Sequence, residues 1–284
     1  MMASPASRSW HELSRAELDA AYNNAAAVAH SGVTVAGWEQ RGAALRASMP
    51  AHLDLRYGSQ PRNRIDFFKA GQGAPTLVFF HGGYWQTRAK EAFSCFAVGP
   101  LARGLNVALV GYTLAPEASL DAIVAETRAA MAFLSLQLPA LGAKRESMIL
   151  CGWSAGAQLA AMLLDSPGVV GALLISGIYD LEPVRHCYVN DKLGLDAAMA
   201  ERNSPLLHLP ATCPPVRVVV GGAELPELRR QSSEFACARE KAALPGGFAE
   251  IPGVDHFSIL EQLERPDGML CEMVSRLANG DAAS

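Results

Sequence analysis

A serine with a glycine two residues to either side stands between an apolar strand and an apolar helix, in residues 152–156 (Gly-Trp-Ser-Ala-Gly). A chain that passes from strand to helix in so few residues forces the central residue into strained backbone geometry. The glycines remove Cβ atoms that would clash there. This context predicts that the hydroxyl of Ser154 projects from the edge of a sheet as a nucleophile. The alternative is an ordinary serine N-cap of the helix.

A pair of glycines follows an earlier apolar strand, in residues 81–85 (His-Gly-Gly-Tyr-Trp). Adjacent glycines let the N–H groups of Gly82 and Gly83 turn toward a carbonyl oxygen, and the N–H of Ala155 offers a further donor. The pattern predicts an oxyanion hole made of these three groups, and therefore a carbonyl compound as the electrophile. A plain tight turn is the alternative, because Gly-Gly is a common turn signal.

Several larger side chains lie beside these glycines. His81 ends the strand, and we expect it to hold the glycine loop through a hydrogen bond to the backbone rather than to act as a base. We expect the aromatic rings of Tyr84, Trp85 and Trp153 to contact the substrate. For Tyr84 and Trp85, ordinary packing under the loop is an equal alternative.

A histidine late in the chain can serve as the general base. Four of the seven histidines precede Ser154, and His186 and His208 do not follow a late strand. His256 lies after a short strand and before the last helix, where the order serine, acid, histidine places the base. We therefore expect His256 to take the proton of Ser154.

The acid that orients the imidazole must lie between Ser154 and His256. A late apolar strand leads into Glu224, which we prefer because the loop after that strand is the usual position. Glutamate is one methylene longer than aspartate, so its loop must be set slightly further back. Asp180, which follows the preceding strand, and Glu227, in the next helix, remain alternatives.

These motifs lie within a repeated alternation of apolar strands and helices. The predicted strands are residues 76–80, 106–111, 148–151, 169–175, 216–220 and 247–251, and the predicted helices are 89–103, 120–136, 155–164, 226–244 and 259–277. Near-continuous apolar strands between helices indicate an α/β fold with a mostly parallel sheet covered on both faces. Ligands bind beyond the carboxyl ends of such strands, where the motifs lie.

The first quarter of the chain has a different pattern. Residues 52–57 and 64–68 read as an antiparallel hairpin that enters the sheet. Residues 13–48 read as helical, and Ser14 with Glu17 forms a capping-box pattern. We divide the chain into a helical arm, residues 1–48, and a catalytic domain, residues 49–284. The arm either covers the site or packs as plain helices.

Composition limits the class of protein. Half of the 284 residues are apolar and 18% are charged, so the chain can bury a large core. Its 24 basic and 28 acidic residues leave a net charge of −4, which argues against nucleic acid as a partner. We find no leader-like or membrane-spanning apolar stretch, and expect a cytoplasmic protein with a small-molecule substrate and no membrane partner. A homodimer is left open.

The cysteines and the mechanism give no reason to expect a cofactor or a metal. The six cysteines are scattered and lack zinc-site spacing, so we expect reduced thiols that serve as small apolar residues. Acyl transfer to a serine needs neither a cofactor nor a metal ion.

Taken together, the motifs resemble the α/β-hydrolase superfamily, and within it the branch that has a His-Gly-Gly oxyanion motif, as in hormone-sensitive-lipase-like esterases. Residues 81–85 and 152–156 look like those of the kynurenine formamidase (arylformamidase) family, and residues 220–232 resemble its acid loop and following helix. The resemblance spans roughly residues 50–275. In one departure, the family carries aspartate where this chain has Glu224.

The resemblance implies Ser154 as nucleophile, Glu224 as acid and His256 as base, with the backbone at 82, 83 and 155 as oxyanion hole. It also implies a serine hydrolase that cleaves an N-formyl arylamine such as N-formylkynurenine, in tryptophan catabolism. A carboxylesterase for small acyl esters, or another amide hydrolase of the same fold, is the alternative. A non-catalytic ligand-binding protein is a third reading, which the retained nucleophile, base and oxyanion donors disfavour.

Overall fold

The computed structural model describes residues 9–281, so the outermost ends of the predicted arm and catalytic domain, residues 1–8 and 282–284, lie outside the described residues. One eight-stranded sheet forms the centre. Its strands are β1 (Ala51–Arg56), β2 (Arg64–Phe68), β3 (Thr76–Phe80), β4 (Asn106–Val110), β5 (Met148–Trp153), β6 (Val169–Ile175), β7 (Val216–Gly221) and β8 (Gly246–Ile251).

The strand order is β1-β2-β4-β3-β5-β6-β7-β8. β2 is antiparallel to both neighbours, β1 and β4, and every other pair is parallel. The mostly parallel α/β fold and the entering hairpin are therefore confirmed. β3, β4 and β5 are buried along their whole length, as strands covered on both faces must be.

Helices cover both faces of the sheet. The α-helices are α1 (Arg15–Ala21), α2 (Asn24–Ala27), α3 (Ser31–Ser48), α4 (Val98–Ala102), α5 (Leu120–Gln137), α6 (Ala155–Ala161), α7 (Glu182–Arg185), α8 (Asn190–Leu193), α9 (Ala197–Arg202), α10 (Pro226–Lys241), α11 (Glu261–Glu264) and α12 (Met269–Ala278). Short 3-10 helices lie at Trp10–Glu12, Lys90–Ala97, Pro205–Leu207 and Ser258–Leu260.

The hydrophobic core has two parts, one on each face of the sheet. Side chains alternate along β5, so that Leu150 packs with α5 and α6 while Ile149 and Cys151 pack with α3 and α12. Four of the six cysteines are buried, and all six are unpaired, as expected. Among the described residues, no helix combines the length and the apolar content needed to cross a bilayer.

The prediction of one continuous helix over residues 259–277 is wrong. The chain forms a 3-10 turn, α11 and α12 instead. Arg265 is extended, with φ −81° and ψ 128°, because the residue before a proline avoids the helical region, and Pro266 has no N–H to continue the helix. The predicted helix over 89–103 likewise begins as the 3-10 helix Lys90–Ala97.

The segment between β6 and β7 contains three short helices, α7, α8 and α9, that we did not predict. Helices of four to six residues are too short to show a helical period, so apolar spacing gives no signal for them.

The N-terminal arm is docked on the rest of the chain. α1 begins with the predicted capping box of Ser14 and Glu17. On α3, the ring of Trp38 packs edge-on against Trp153, with centroids 5.7 Å apart. Farther along α3, Arg46 forms an ion pair with the buried Asp66 of β2. The arm therefore contacts both the sheet and the residue before the candidate nucleophile.

Asp66 is expected to contribute strongly to stability. Its buried carboxylate accepts hydrogen bonds from Arg46, from Lys90 Nζ at 2.9 Å and from the N–H of Asp54 at 2.9 Å. Asp66→Asn removes the counter-charge of Arg46 and one of the three carboxylates around Lys90. It should lower the free energy of unfolding by about 3 kcal/mol, measured by urea denaturation at pH 7. The control is Asp267→Asn in the exposed pair with Arg265, which should cost less than about 0.5 kcal/mol. Equal losses in the two variants would contradict this role.

Candidate active site

Ser154 lies on a strained turn between β5 and α6. Its φ of 57° and ψ of −122° belong to a region that residues other than glycine rarely occupy. The Ser154 N–H donates to the carbonyl of Ile175 at 2.8 Å, which ties the turn to β6. A Cβ on Gly156 would lie 2.0 Å from the carbonyl oxygen of Phe80, so only glycine lets the helix start this close to β3. The turn has the strain that the sequence pattern predicts.

His256 and Glu224 are joined by a short hydrogen bond. His256 Nδ1 is 2.6 Å from Glu224 Oε2, and both side chains are buried. A carboxylate accepts only, so Nδ1 carries the proton and Nε2 is left as the basic nitrogen. The imidazole therefore has the tautomer that a general base needs.

The other oxygen of Glu224 is also bonded. Glu224 Oε1 accepts from Ser176 Oγ at 2.5 Å and from the N–H of Gly221 at 2.7 Å. The Glu224 N–H in turn donates to the carbonyl of Gly221 at 3.1 Å, which closes a tight turn at the end of β7. This turn folds the side chain of Glu224 back over the end of its own strand.

Trp153 connects the serine turn to the histidine. Its indole N–H donates to the carbonyl of His256 at 2.9 Å, and the two rings lie 4.8 Å apart between centroids. Within residues 9–281, no hydrogen bond joins Ser154 Oγ to His256. Contacts between a nucleophile and its base are often long before substrate binds, and tighten in the complex.

The two alternative acids lie elsewhere. Asp180 Oδ1 accepts from the N–H of Glu182 at 3.0 Å, and burial raises the pKa of Asp180. Glu227 accepts from the hydroxyl of Tyr22 at 2.7 Å and pairs with Arg230 at 2.6 Å. In the described part of the chain neither carboxylate bonds to His256, so the geometry favours Glu224.

The glycine loop after β3 presents free backbone donors. Among the described residues, the N–H groups of Gly82, Gly83 and Ala155 make no hydrogen bond. Gly83 has a φ of 115°, which residues with a side chain rarely adopt. These three N–H groups thus remain free to donate, and their role as an oxyanion hole stays a prediction.

His81 supports this loop. Its Nδ1 is 2.8 Å from the carbonyl oxygen of Gly82, which confirms the expected bond to the backbone. The ring stacks on Tyr112 at 4.3 Å between centroids. Burial lowers the pKa of His81 to about 4, so the ring is neutral at neutral pH. It does not bond to Ser154 in the described residues.

The predicted substrate-contacting aromatic residues differ in exposure. Trp85 is fully buried, and its indole N–H donates to Gln158 Oε1 at 3.0 Å. Trp153 is 2% exposed, and its ring packs against the ring of His256. Tyr84 is only partly buried, and its hydroxyl donates to the carbonyl of Tyr22 in the arm. Burial favours a supporting role for Trp85 and Trp153, and substrate contact by all three rings stays a prediction.

Two contributions to this region were not predicted from the sequence. Ser176, which binds the carboxylate of Glu224, follows the end of β6, and that position at the carboxyl edge of the sheet was the available signal. Tyr22 and Asn24 of the arm bond to Tyr84, which lies more than 50 residues later in the chain, and no local pattern marks them. Within the described residues, no cluster of three or more His, Cys, Asp or Glu side chains could hold a metal ion.

The fold, the serine turn and the buried histidine–carboxylate pair define a class of enzyme. Residues 77–260 match the family described as the alpha/beta hydrolase fold. The chain belongs to this α/β-hydrolase family.

The chain is similar to individual proteins of known sequence or structure. Kynurenine formamidase of Danio rerio is 35% identical, over 79% of this chain and 81% of that protein. Kynurenine formamidase of Drosophila melanogaster is 32% identical, over 73% of this chain and 75% of that protein. The crystal structure of a candidate thioesterase from Silicibacter superposes with a TM-score of 0.83 at 29% identity, covering 91% of this chain and 98% of that one.

The neutral state of His81 should be visible in the pH dependence of stability. Below pH 6.5 the unfolded chain protonates this histidine, whereas the folded protein does so only near pH 4. The free energy of unfolding should therefore fall by about 2–3 kcal/mol from this residue between pH 7 and pH 4.5. His81→Asn should make that decline shallower by this amount in urea titrations, and His208→Asn, at an exposed histidine, should not. Parallel profiles for wild type and His81→Asn would contradict the assignment.

Proposed function

We propose that the chain is an arylformamidase-type serine hydrolase, which cleaves N-formyl arylamines such as N-formylkynurenine. The observation that carries the proposal is the buried bond between His256 Nδ1 and Glu224, adjacent to a serine on a strained turn. The substrate class is supported by the relatives named kynurenine formamidase. The proposal assigns Ser154 as nucleophile, His256 as base and Glu224 as the acid that orients it.

The reaction proceeds by acyl transfer. His256 Nε2 takes the proton of Ser154 as its oxygen attacks the formyl carbon, and Glu224 stabilises the imidazolium that forms. The tetrahedral oxyanion accepts hydrogen bonds from the N–H groups of Gly82, Gly83 and Ala155. His256 then gives its proton to the leaving nitrogen, the C–N bond breaks, and water hydrolyses the formyl-serine by the same steps.

An N-formyl arylamine suits this arrangement. The formyl group is the smallest acyl group, so it needs little space beside Ser154, which is only 2% exposed. The nitrogen lone pair is shared with the aromatic ring, which weakens the amide. Protonation of the nitrogen by His256 is still required, because an amide anion leaves poorly.

A carboxylesterase for small acyl esters is the second candidate. The structural similarity to a candidate thioesterase favours it, because a thioester, like an ester, has a leaving group that departs more easily than an amine. The same nucleophile, base and oxyanion donors serve both reactions.

The role of the N-terminal arm, the cellular location and the oligomeric state are further parts of the proposal. We propose that the arm covers the site, since Tyr22 contacts both Tyr84 of the glycine loop and Glu227 of α10. A cytoplasmic location and a homodimer remain predictions. Light scattering at micromolar concentration would test the homodimer.

Substrate class can be tested directly with purified wild-type protein. We expect kcat/KM for N-formylkynurenine to exceed that for p-nitrophenyl acetate, measured by steady-state absorbance. Activity on the ester alone would leave the hydrolase assignment intact and refute the arylformamidase.

Removal of the nucleophile should abolish turnover and leave the fold intact. Ser154→Ala should lower kcat by about 10⁴-fold or more, as loss of a triad nucleophile does. Circular dichroism should match that of wild type. A variant that keeps a tenth of the wild-type kcat would exclude Ser154 as nucleophile.

The acid is tested by a pair of isosteric changes. Glu224→Gln removes the negative charge that stabilises the imidazolium and should lower kcat by about 10³- to 10⁴-fold. Asp180→Asn is the matched control and should change kcat by less than about threefold, because Asp180 does not contact His256. The reverse pattern would make Asp180 the acid.

A further inference from the structure

Ser176, the first residue after β6, has a buried side chain on strained backbone. Its φ is 52°, in the left-handed region that favours glycine, and its side chain is fully buried. A residue with a side chain keeps such a φ only where its surroundings hold it there, and outliers of this kind cluster at functional sites. The mechanism above assigns Ser176 no step.

The backbone around Ser176 fixes its position. Its N–H donates to the carbonyl of Val219 on β7 at 2.7 Å, which ties the residue to the neighbouring strand. A Cβ on the following residue, Gly177, would clash with the hydroxyl end of the buried Tyr179 ring, so only glycine lets the chain pass over this ring. These contacts determine where the hydroxyl of Ser176 lies.

The hydroxyl of Ser176 is bonded to the acid of the candidate triad. Ser176 Oγ lies 2.5 Å from Glu224 Oε1, and because a carboxylate only accepts, the hydroxyl proton points to Glu224. The N–H of Gly221 donates to the same oxygen at 2.7 Å, whereas His256 Nδ1 bonds to Oε2. The two oxygens therefore have different partners: one is held at the ends of β6 and β7, and the other faces the imidazole.

The division of the two oxygens matters because a glutamate side chain has three rotatable bonds. Two donors on Oε1 fix the plane of the Glu224 carboxylate and leave Oε2 directed at the imidazole. Hydrogen bonds to an ionised acceptor are strong, and a buried carboxylate has no solvent to replace a lost donor. Loss of the Ser176 hydroxyl should therefore be felt at His256, to which Ser176 does not bond in the described part of the chain.

We propose that Ser176 is a positioning residue, which holds the carboxylate of Glu224 in the orientation that His256 needs to act as base. The inference rests on the proposed function and deepens it. Ser176 exchanges no proton in the reaction, because its hydroxyl donates throughout to a carboxylate that stays ionised. Its contribution comes when the imidazolium forms, since a correctly oriented carboxylate stabilises the charged ring. Ser176 acts through the base and not on the substrate, so it serves amides and esters alike.

The first test removes the hydroxyl in two ways. Ser176→Ala should lower kcat for N-formylkynurenine and for p-nitrophenyl acetate by the same factor, about 10- to 100-fold, with KM changed by less than about threefold. Ser176→Gly should lose as much activity, yet melt no lower than the alanine variant, because glycine adopts a φ of 52° without strain. If Ser176 only supported the fold, the glycine variant should keep more activity than the alanine variant.

A double-mutant cycle shows whether Ser176 acts through Glu224. In the Glu224→Gln background no negative charge holds the imidazole, so adding Ser176→Ala should lower kcat by less than about threefold further. Ser204→Ala is the matched control. It removes two buried hydrogen bonds, to the carbonyl of Ala200 at 2.7 Å and from the N–H of Leu181 at 2.8 Å, neither of which involves the triad. Its kcat should stay within about threefold of wild type.

The outcomes distinguish this inference from the function on which it rests. Circular dichroism checks each fold, and the glycine variant replaces the alanine variant if that one does not fold. If the Ser176 variants keep more than about a third of the wild-type kcat, or if Ser176→Ala costs the same factor in the Glu224→Gln background, Ser176 is not a positioning residue and the hydrolase stands.

The two substrates give the remaining outcomes. If wild type cleaves the ester alone, the arylformamidase is refuted, and a loss of kcat on the ester that depends on Glu224 supports the role of Ser176. If wild type cleaves neither substrate, both proposals are overturned. An equal loss on both substrates that disappears in the Glu224→Gln background supports both.

Discussion

The buried carboxylate of Glu224 is the interaction on which the candidate site depends. It receives three donors from three parts of the chain: Ser176 after β6, Gly221 at the end of β7, and His256 after β8. A desolvated carboxylate is tolerated only where donors are already in place. Three neighbouring parallel strands therefore have to end in register before the imidazole can be held, and the sheet order β6-β7-β8 supplies that register.

Backbone positions are as important to the site as side chains. Gly156 lets α6 start against the carbonyl of Phe80, and this close approach brings the serine turn beside the glycine loop that follows β3. His81 then holds the loop through the carbonyl of Gly82, while its own burial keeps it neutral and unsuited to serve as the base. His81 thus supports the glycine loop while His256 is the candidate base, and the surroundings of each ring determine which role it can have.

Sequence patterns were sufficient wherever a local constraint dictates residue type. The strained turn at Ser154 needs glycine at positions 152 and 156, and apolar strands covered on both faces show as continuous runs, so the turn and the sheet were predictable. The helix break at Pro266 could have been predicted from the proline itself, but the apolar period continues across it and favoured one helix. α7 to α9 were not predictable, since helices this short show no period. For Ser176, the sequence marks its position after β6, but its pairing with Glu224, 48 residues later, leaves no local trace.

The candidate catalytic groups alone do not set the choice between an amide and an ester. The oxyanion donors and the histidine–carboxylate pair act on any activated carbonyl, so they do not distinguish an amide from an ester. Discrimination requires a group that responds to the leaving atom itself, and a buried acceptor rejects a substrate that brings no donor, because the acceptor then stays unpaired.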